Sequence, residues 1–305
     1  WHRFLEGAAD LSVIPRARIH EVVTKDGQNT LAEAFKKKKI SLQTSLKPML
    51  FYFAFNMRDP VLGGNEEKPR KLRRAISIAM DTEDFIRETQ EGRADVCAGP
   101  VPSGVFGHEK GETVPRKSSI EEAKRLLAES GYPGGVGLDG KPLCIGFDSL
   151  MTKEDAAMSV WLTKRLAPLG ISLEARTTSY KEFQKKLAQG TCQLFRWGWV
   201  LDYPDPENIL FLFYGPFARC GGQTGDGVNC ANYANPEFDR LFDRMASMEN
   251  SPERLALVRK MQAILQEDVP WAMTLSLKER MLTHAWLGNV IPDGEPILNS
   301  LKYWK

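Results

Sequence analysis

The feature that most restricts what this chain can fold into is an alternation between Pro142 and Trp199. Apolar, strand-favouring stretches at Pro142–Phe147, Ile171–Thr177 and Cys192–Trp199 are separated by helical patterns at Lys153–Leu166 and Tyr180–Leu187. Strand, helix, strand, helix, strand in that order predicts crossover connections and a parallel sheet, an α/β fold. Ligands of such sheets sit beyond the carboxyl ends of the strands. The residues just past Trp199 are therefore where a site is expected.

The run Cys192–Leu212 places Arg196, Trp197 and Trp199 ahead of Asp202, followed by Tyr203, Pro204, Asp205 and Pro206. The two prolines fix their own φ and push Tyr203 and Asp205 toward extended backbone, which stiffens the turn after Asp202. A stiff turn preorganises a carboxylate. Such a group suits a ligand ammonium that must be buried in a closed cleft, and an aromatic face nearby adds cation attraction of ~0.5–2 kcal/mol. The competing reading makes Asp202 a turn cap and the tryptophans core.

Elsewhere, Met49–Met57 is an apolar and aromatic run suited to a strand covered on both faces, and Pro270–Leu277 resembles it. Leu72, Ala75, Ile76, Ala79 and Met80 form a helical stripe, and Asp81 or Thr82 can cap a further helix. Ser118 with Glu121 makes a capping box. Phe238–Met245 and Leu257–Leu265 carry two more stripes, the second entered through Ser251 and Pro252. Ser12–Arg16 and Leu31–Phe35 read as short helical turns, and 99–115 as a long irregular connection.

Composition excludes several classes. The 305 residues are 42% hydrophobic and 26% charged, enough for one or two cores, with a net charge of +2 whose only dense basic run is Lys36–Lys39, a poor footprint for nucleic acid. No apolar run reaches membrane-span length. No P-loop, G-x-S-x-G or His-based metal motif is present, so neither metal nor cofactor is expected. Asp202, Asp205 and Glu207 could imitate the acid pair of a glycoside- or peptide-hydrolysing enzyme, but glycosidase pairs stand ~5–9.5 Å apart across a sugar, a poor match to neighbours on one turn. Cys97, Cys144 and Cys192 read as buried thiols. Cys220 and Cys230 frame a glycine-rich loop and would close a disulfide worth roughly 2–3 kcal/mol in an oxidising compartment, or remain two free thiols.

The blocks FYFAFNMRDPV, KLRRAISIAMDTEDFI, GPVPSGVFG, EEAKRLLAESGYPGG, GWVLDYPDPENILF, NYANPEFDRLFDRM and MQAILQEDVPW, in this order, resemble the bacterial family 5 extracellular solute-binding proteins, the peptide receptors of ABC importers. The resemblance implies a periplasmic-binding-protein-like fold of two α/β lobes: one complete βαβ-rich lobe at 48–278, with 1–47 and 279–305 as pieces of the other, and Pro48–Met57 and Trp271–Leu282 as the crossings. It matches only the second half of such a receptor. An N-terminal half of the same protein and an export signal outside this chain are therefore expected, with a periplasmic or extracellular location. It implies a peptide ligand and permease subunits as partners, a non-peptide solute such as a sugar or metal chelate being the alternative. Asp202 would take the ligand's α-ammonium with Trp199 and Arg196 beside it and Trp197 adjoining, and Tyr52, Phe53 and Asn56 on the first crossing would line the cleft.

Overall fold

The computed structural model describes residues 1–24, 30–90, 94–97, 99–109, 119–221 and 227–288. The turn at 25–29, Ser118, the middle of the Cys220–Cys230 loop and the tail with Tyr303 and Trp304 lie outside them. The strands are β1 (Leu11–Val13), β2 (Ile40–Phe55), β3 (Ala94–Val96), β4 (Cys144–Leu150), β5 (Ser172–Thr178), β6 (Leu194–Val200) and β7 (Trp271–His284). The chain divides into two compact units, one of 1–48, 93–95 and 276–305, the other of 49–92 and 96–275. Both boundaries at 48/49 and 275/276 fall inside long strands, β2 and β7.

In the larger unit β4 pairs in parallel with β5 on one side and with β6 on the other. The parallel trio expected from the alternation is thus present, and its outer strand β6 runs antiparallel to β2 from Met49↔Val200 to Phe55↔Leu194. The crossover helix Lys153–Leu166 starts where Thr152 accepts the Asp155 N–H, and Tyr180–Gln189 starts where Ser179 accepts the Glu182 N–H. The two helices cover opposite faces. Trp161 of the first meets Phe85, which meets Phe53 beside Phe147, whereas Phe183 of the second packs on Phe195 and Trp197. Period-two alternation decides this, because odd and even residues of β2 and β6 face opposite ways.

Helix Glu67–Met80 buries the predicted stripe, and Asp81 caps the helical turn Thr82–Phe85 through the Asp84 N–H. Helix Ile120–Glu129 is capped by Ser119, which accepts from the Glu121 and Glu122 N–H groups, while the expected Ser118 lies outside the described residues. Ser251 caps Pro252–Asp268 as expected, and Pro236–Ala246 buries Phe238, Leu241, Phe242 and Met245.

The smaller unit packs Phe4, Ile14, Ile19, Val22, Leu31, Ile40 and Leu282 together. Here Ser12–Arg16 departs from the helical expectation: Leu11–Val13 is a strand, in register with Thr283–Met281 of β7. A three-residue strand depends on its partner, so pairing across the chain overrides local pattern. Among the described residues no helix is long and apolar enough to cross a membrane.

Candidate functional site

A cavity of about 260 Å³ opens at the carboxyl ends of β4 and β6, room for about nine waters at liquid density. Met49 and Phe51 of β2, Leu150 at the end of β4, Asp155 of the crossover helix and Arg196 to Val200 of β6 line it. The wall is mostly apolar, with one cation and one anion. Arg196 stands opposite Phe53 and Gly198 opposite Phe51, so the guanidinium leans diagonally over the Phe51 ring, 4.6 Å from its centroid.

Gly198 is what makes room for that ring. A Cβ there would stand 2.8 Å from two Phe51 ring atoms. Gly198→Ala is therefore expected to displace Phe51, narrow the cavity and destabilise the protein by about 1–3 kcal/mol, the range for overpacking. A melting curve and the Trp fluorescence of the variant check it. An unchanged melting temperature would show that Phe51 yields without resistance.

The Asp155 carboxylate lies 3.6 Å from Arg196 Nη1, and its other oxygen accepts the Thr152 hydroxyl at 2.7 Å. Burial lowers the Arg196 pKa, Asp155 and Glu154 opposing. The guanidinium keeps its charge, because arginine does not lose it in proteins. Arg196 Nε is buried and has no hydrogen-bond partner among the described residues.

Trp197 and Trp199 border the cavity from the strand, but their rings pack on the opposite side of β6 from Arg196. Trp197 meets Phe183 at 5.5 Å and Tyr180 at 6.2 Å, and Trp199 meets Phe211 edge-on at 5.1 Å. Asn208 then fixes the turn: its Oδ1 accepts the Trp199 indole N–H at 3.3 Å and the Asp202 backbone N–H at 2.9 Å. Asp202 itself is exposed, and its carboxylate has no ion pair or hydrogen bond among the described residues. Asp205 is committed elsewhere, to a bidentate pair with Arg254 at 2.6 and 2.7 Å and to the Glu207 N–H. Burial raises the Asp205 pKa, but Arg254 and that N–H outweigh it and hold it below the usual carboxylate range. Glu207 accepts from the Tyr203 hydroxyl. Both acids are thus engaged by neighbours of their own.

The structure does not bring Tyr52, Phe53 and Asn56 to the cavity wall. Tyr52 is buried and stacked on Trp271 at 3.6 Å, and Phe53 is buried between Phe85 and Phe147. Asn56 is a fully bonded node, donating to Gly190 O and Cys192 O and accepting from Arg58 N and Asn232. These side chains sit in the covered layers of the sheet and beyond its far end. Asp155 and Asn208, in turn, were not singled out in the sequence. The Thr152-x-x-Asp155 cap following a strand at the ligand end of the sheet is the signal that points to Asp155.

Cys220 and Cys230 stand as free thiols in this structure, the second of the two alternatives. The Cys220 sulfur packs against Gly190, where a Cβ would meet it at 2.8 Å, whereas Cys230 belongs to the buried core. Cys144 is exposed, correcting its reading as buried, because it opens the outer end of β4. Burial pushes Cys230 up to about 11 and Cys192 up to about 12, so neither is a thiolate at neutral pH. Thiol titration is expected to find five free groups in denaturant without reductant, and in the native protein rapid labelling of Cys144 with protection of Cys192 and Cys230. Three groups in denaturant would restore the disulfide. No cluster of His, Cys, Asp or Glu suited to a metal occurs among the described residues.

The α/β sheet, with a cavity at the carboxyl ends of its parallel strands, has the fold of the two-lobe periplasmic binding proteins. Residues 12–219 match the description of the bacterial extracellular solute-binding proteins, family 5, middle part, and the chain belongs to that family. It is 26% identical over 204 residues to heme-binding protein A of Haemophilus influenzae, covering 66% of this chain and 35% of that protein. It is 24% identical over 302 residues to the periplasmic oligopeptide-binding protein OppA of Escherichia coli, covering 93% of this chain and 50% of that one. The structure of HbpA2 from Haemophilus parasuis superposes with a TM-score of 0.79 at 19% identity, covering 99% of this chain and 55% of the other. The chain thus spans about a third to somewhat over half of these proteins' lengths.

Proposed function

We propose that the protein is a receptor that captures a peptide or peptide-like solute outside the cytoplasm and hands it to an ABC importer, without transforming it. The observation that carries this reading is the free, exposed Asp202 carboxylate, held by Asn208 two residues past the cavity's Val200. A family of solute-binding receptors, with a relative named as oligopeptide-binding, supports the ligand class and the cell-envelope location. In this reading Asp202 takes the ligand's ammonium, and the cavity beside Arg196 takes a neighbouring part of the ligand. Backbone pairing of an extended peptide supplies much of the affinity.

The test is native mass spectrometry of the full-length protein as purified, followed by thermal shift with a peptide mixture. A retained ligand with peptide bonds, a raised melting temperature and peptides recovered intact are the expected results. A retained ligand without peptide character would overturn the ligand class, and cleaved peptides would overturn the absence of catalysis.

A further inference from the structure

The cavity beside Arg196 holds its own counter-charge. We infer that Asp155 makes it selective for an uncharged, hydrogen-bond-accepting group on an apolar ligand moiety, and against a carboxylate or phosphate. This deepens the reading of the same site and rests on the cavity being a ligand subsite. Three observations carry it. The Asp155 carboxylate is buried, 6% exposed, and stands 3.6 Å from the guanidinium inside the cavity wall. That distance exceeds the usual 2.7–2.9 Å of a charge-assisted hydrogen bond, so the arginine is compensated in charge while its donors stay unsaturated. Arg196 lines the same cavity with 23% of its side chain exposed, so the guanidinium is open to a ligand there.

The consequence follows from Coulomb's law at short range. An anion entering the cavity is drawn to Arg196 and repelled by Asp155 at comparable distances, so the two terms largely cancel while its desolvation penalty remains. A neutral amide or carbonyl oxygen brings little desolvation penalty, accepts from an exposed N–H of the guanidinium and leaves the ion pair intact. The rest of the wall, Met49, Phe51, Leu150 and Val200, suits an aromatic or branched apolar body. Thr152 holds Asp155 in place through the 2.7 Å bond to its second oxygen, so the counter-charge is fixed rather than free to swing out.

Benzamide and benzoate test this directly, because they share the ring and differ in the charge of the head, and Trp197 and Trp199 at the cavity rim report by fluorescence. In the full-length protein benzamide is expected to bind at least about tenfold more tightly than benzoate. Asp155→Asn keeps the shape and removes the counter-charge, and is expected to shift the benzoate-to-benzamide ratio by about tenfold or more toward benzoate. Arg196→Met in the same background is expected to abolish that shift. Each result is a ratio within one variant, so a partial loss of folded protein does not disturb it. A wild-type preference for benzoate, or an Asp155→Asn ratio equal to wild type, overturns the inference. Absence of binding by either probe also overturns it, while leaving the Asp202 ammonium experiment to judge the peptide reading on its own.

Discussion

In the full-length protein, Asp202→Asn is expected to lower affinity for a free-amine peptide by about 2–5 kcal/mol while leaving the melting temperature unchanged. The substitution keeps the side chain's shape, and the turn does not depend on its charge: Asn208 holds the Asp202 backbone N–H, and Asp205 rather than Asp202 anchors the turn to Arg254. The same peptide with an acetylated amino terminus carries no ammonium. It is expected to bind the unmodified protein weakly and to lose far less on mutation, so the coupling across the four combinations is the quantity calorimetry should return. Equal losses for both peptides, in a folded mutant, would show that Asp202 is not the ammonium partner. A mutant that melts early would show instead that the carboxylate holds the strand end.

How much of this could be seen in the sequence depends on whether the deciding interaction is local. The helix Lys153–Leu166 is legible because its apolar stripe, Met158, Trp161, Leu162 and Leu166, lies within its own residues. The parallel trio followed for the same reason. β1 was misjudged because three residues carry no pattern of their own and take their conformation from Thr283 to Met281. At the site, Arg196, Trp197 and Trp199 are near neighbours in sequence, yet strand alternation sends Arg196 and the two tryptophans to opposite sides of β6. Asn208 was not legible. Its role as a clamp on Trp199 and Asp202 depends on how the short helix Glu207–Leu210 folds back under β6.

The largest expected loss of stability lies away from the ligand, at Arg73, which is fully buried on helix Glu67–Met80. Its Nε donates to the carbonyls of Asp268 and Val269 at 3.1 Å, Nη1 to those of Leu62 and Gly64 at 2.6 and 2.9 Å, and Nη2 again to Asp268. Burial pulls its pKa down to about 10, the Asp268 carboxylate opposing, so it stays charged at neutral pH. The guanidinium closes the carboxyl end of helix Pro252–Asp268, where the macrodipole and unpaired carbonyls favour a cation. It also steadies Val269, which is held at φ 50°, an unfavourable conformation for a β-branched residue. The next residues begin β7, whose Trp271 stacks on Tyr52, so the clamp also sets the strand packed beside the one that presents Phe51. Arg73→Met fills the space but leaves four carbonyls without their donor, and is expected to lose about 3–5 kcal/mol. Melting should fall by on the order of 10 °C in a chain of this size. Arg73→Lys restores the charge with a single ammonium that cannot reach both carbonyl pairs, and should recover less than half of the loss. Urea unfolding of the three proteins decides it. A loss under about 1 kcal/mol for Arg73→Met would mean that water replaces the guanidinium at those carbonyls, and that the helix end is not sealed as the packing indicates.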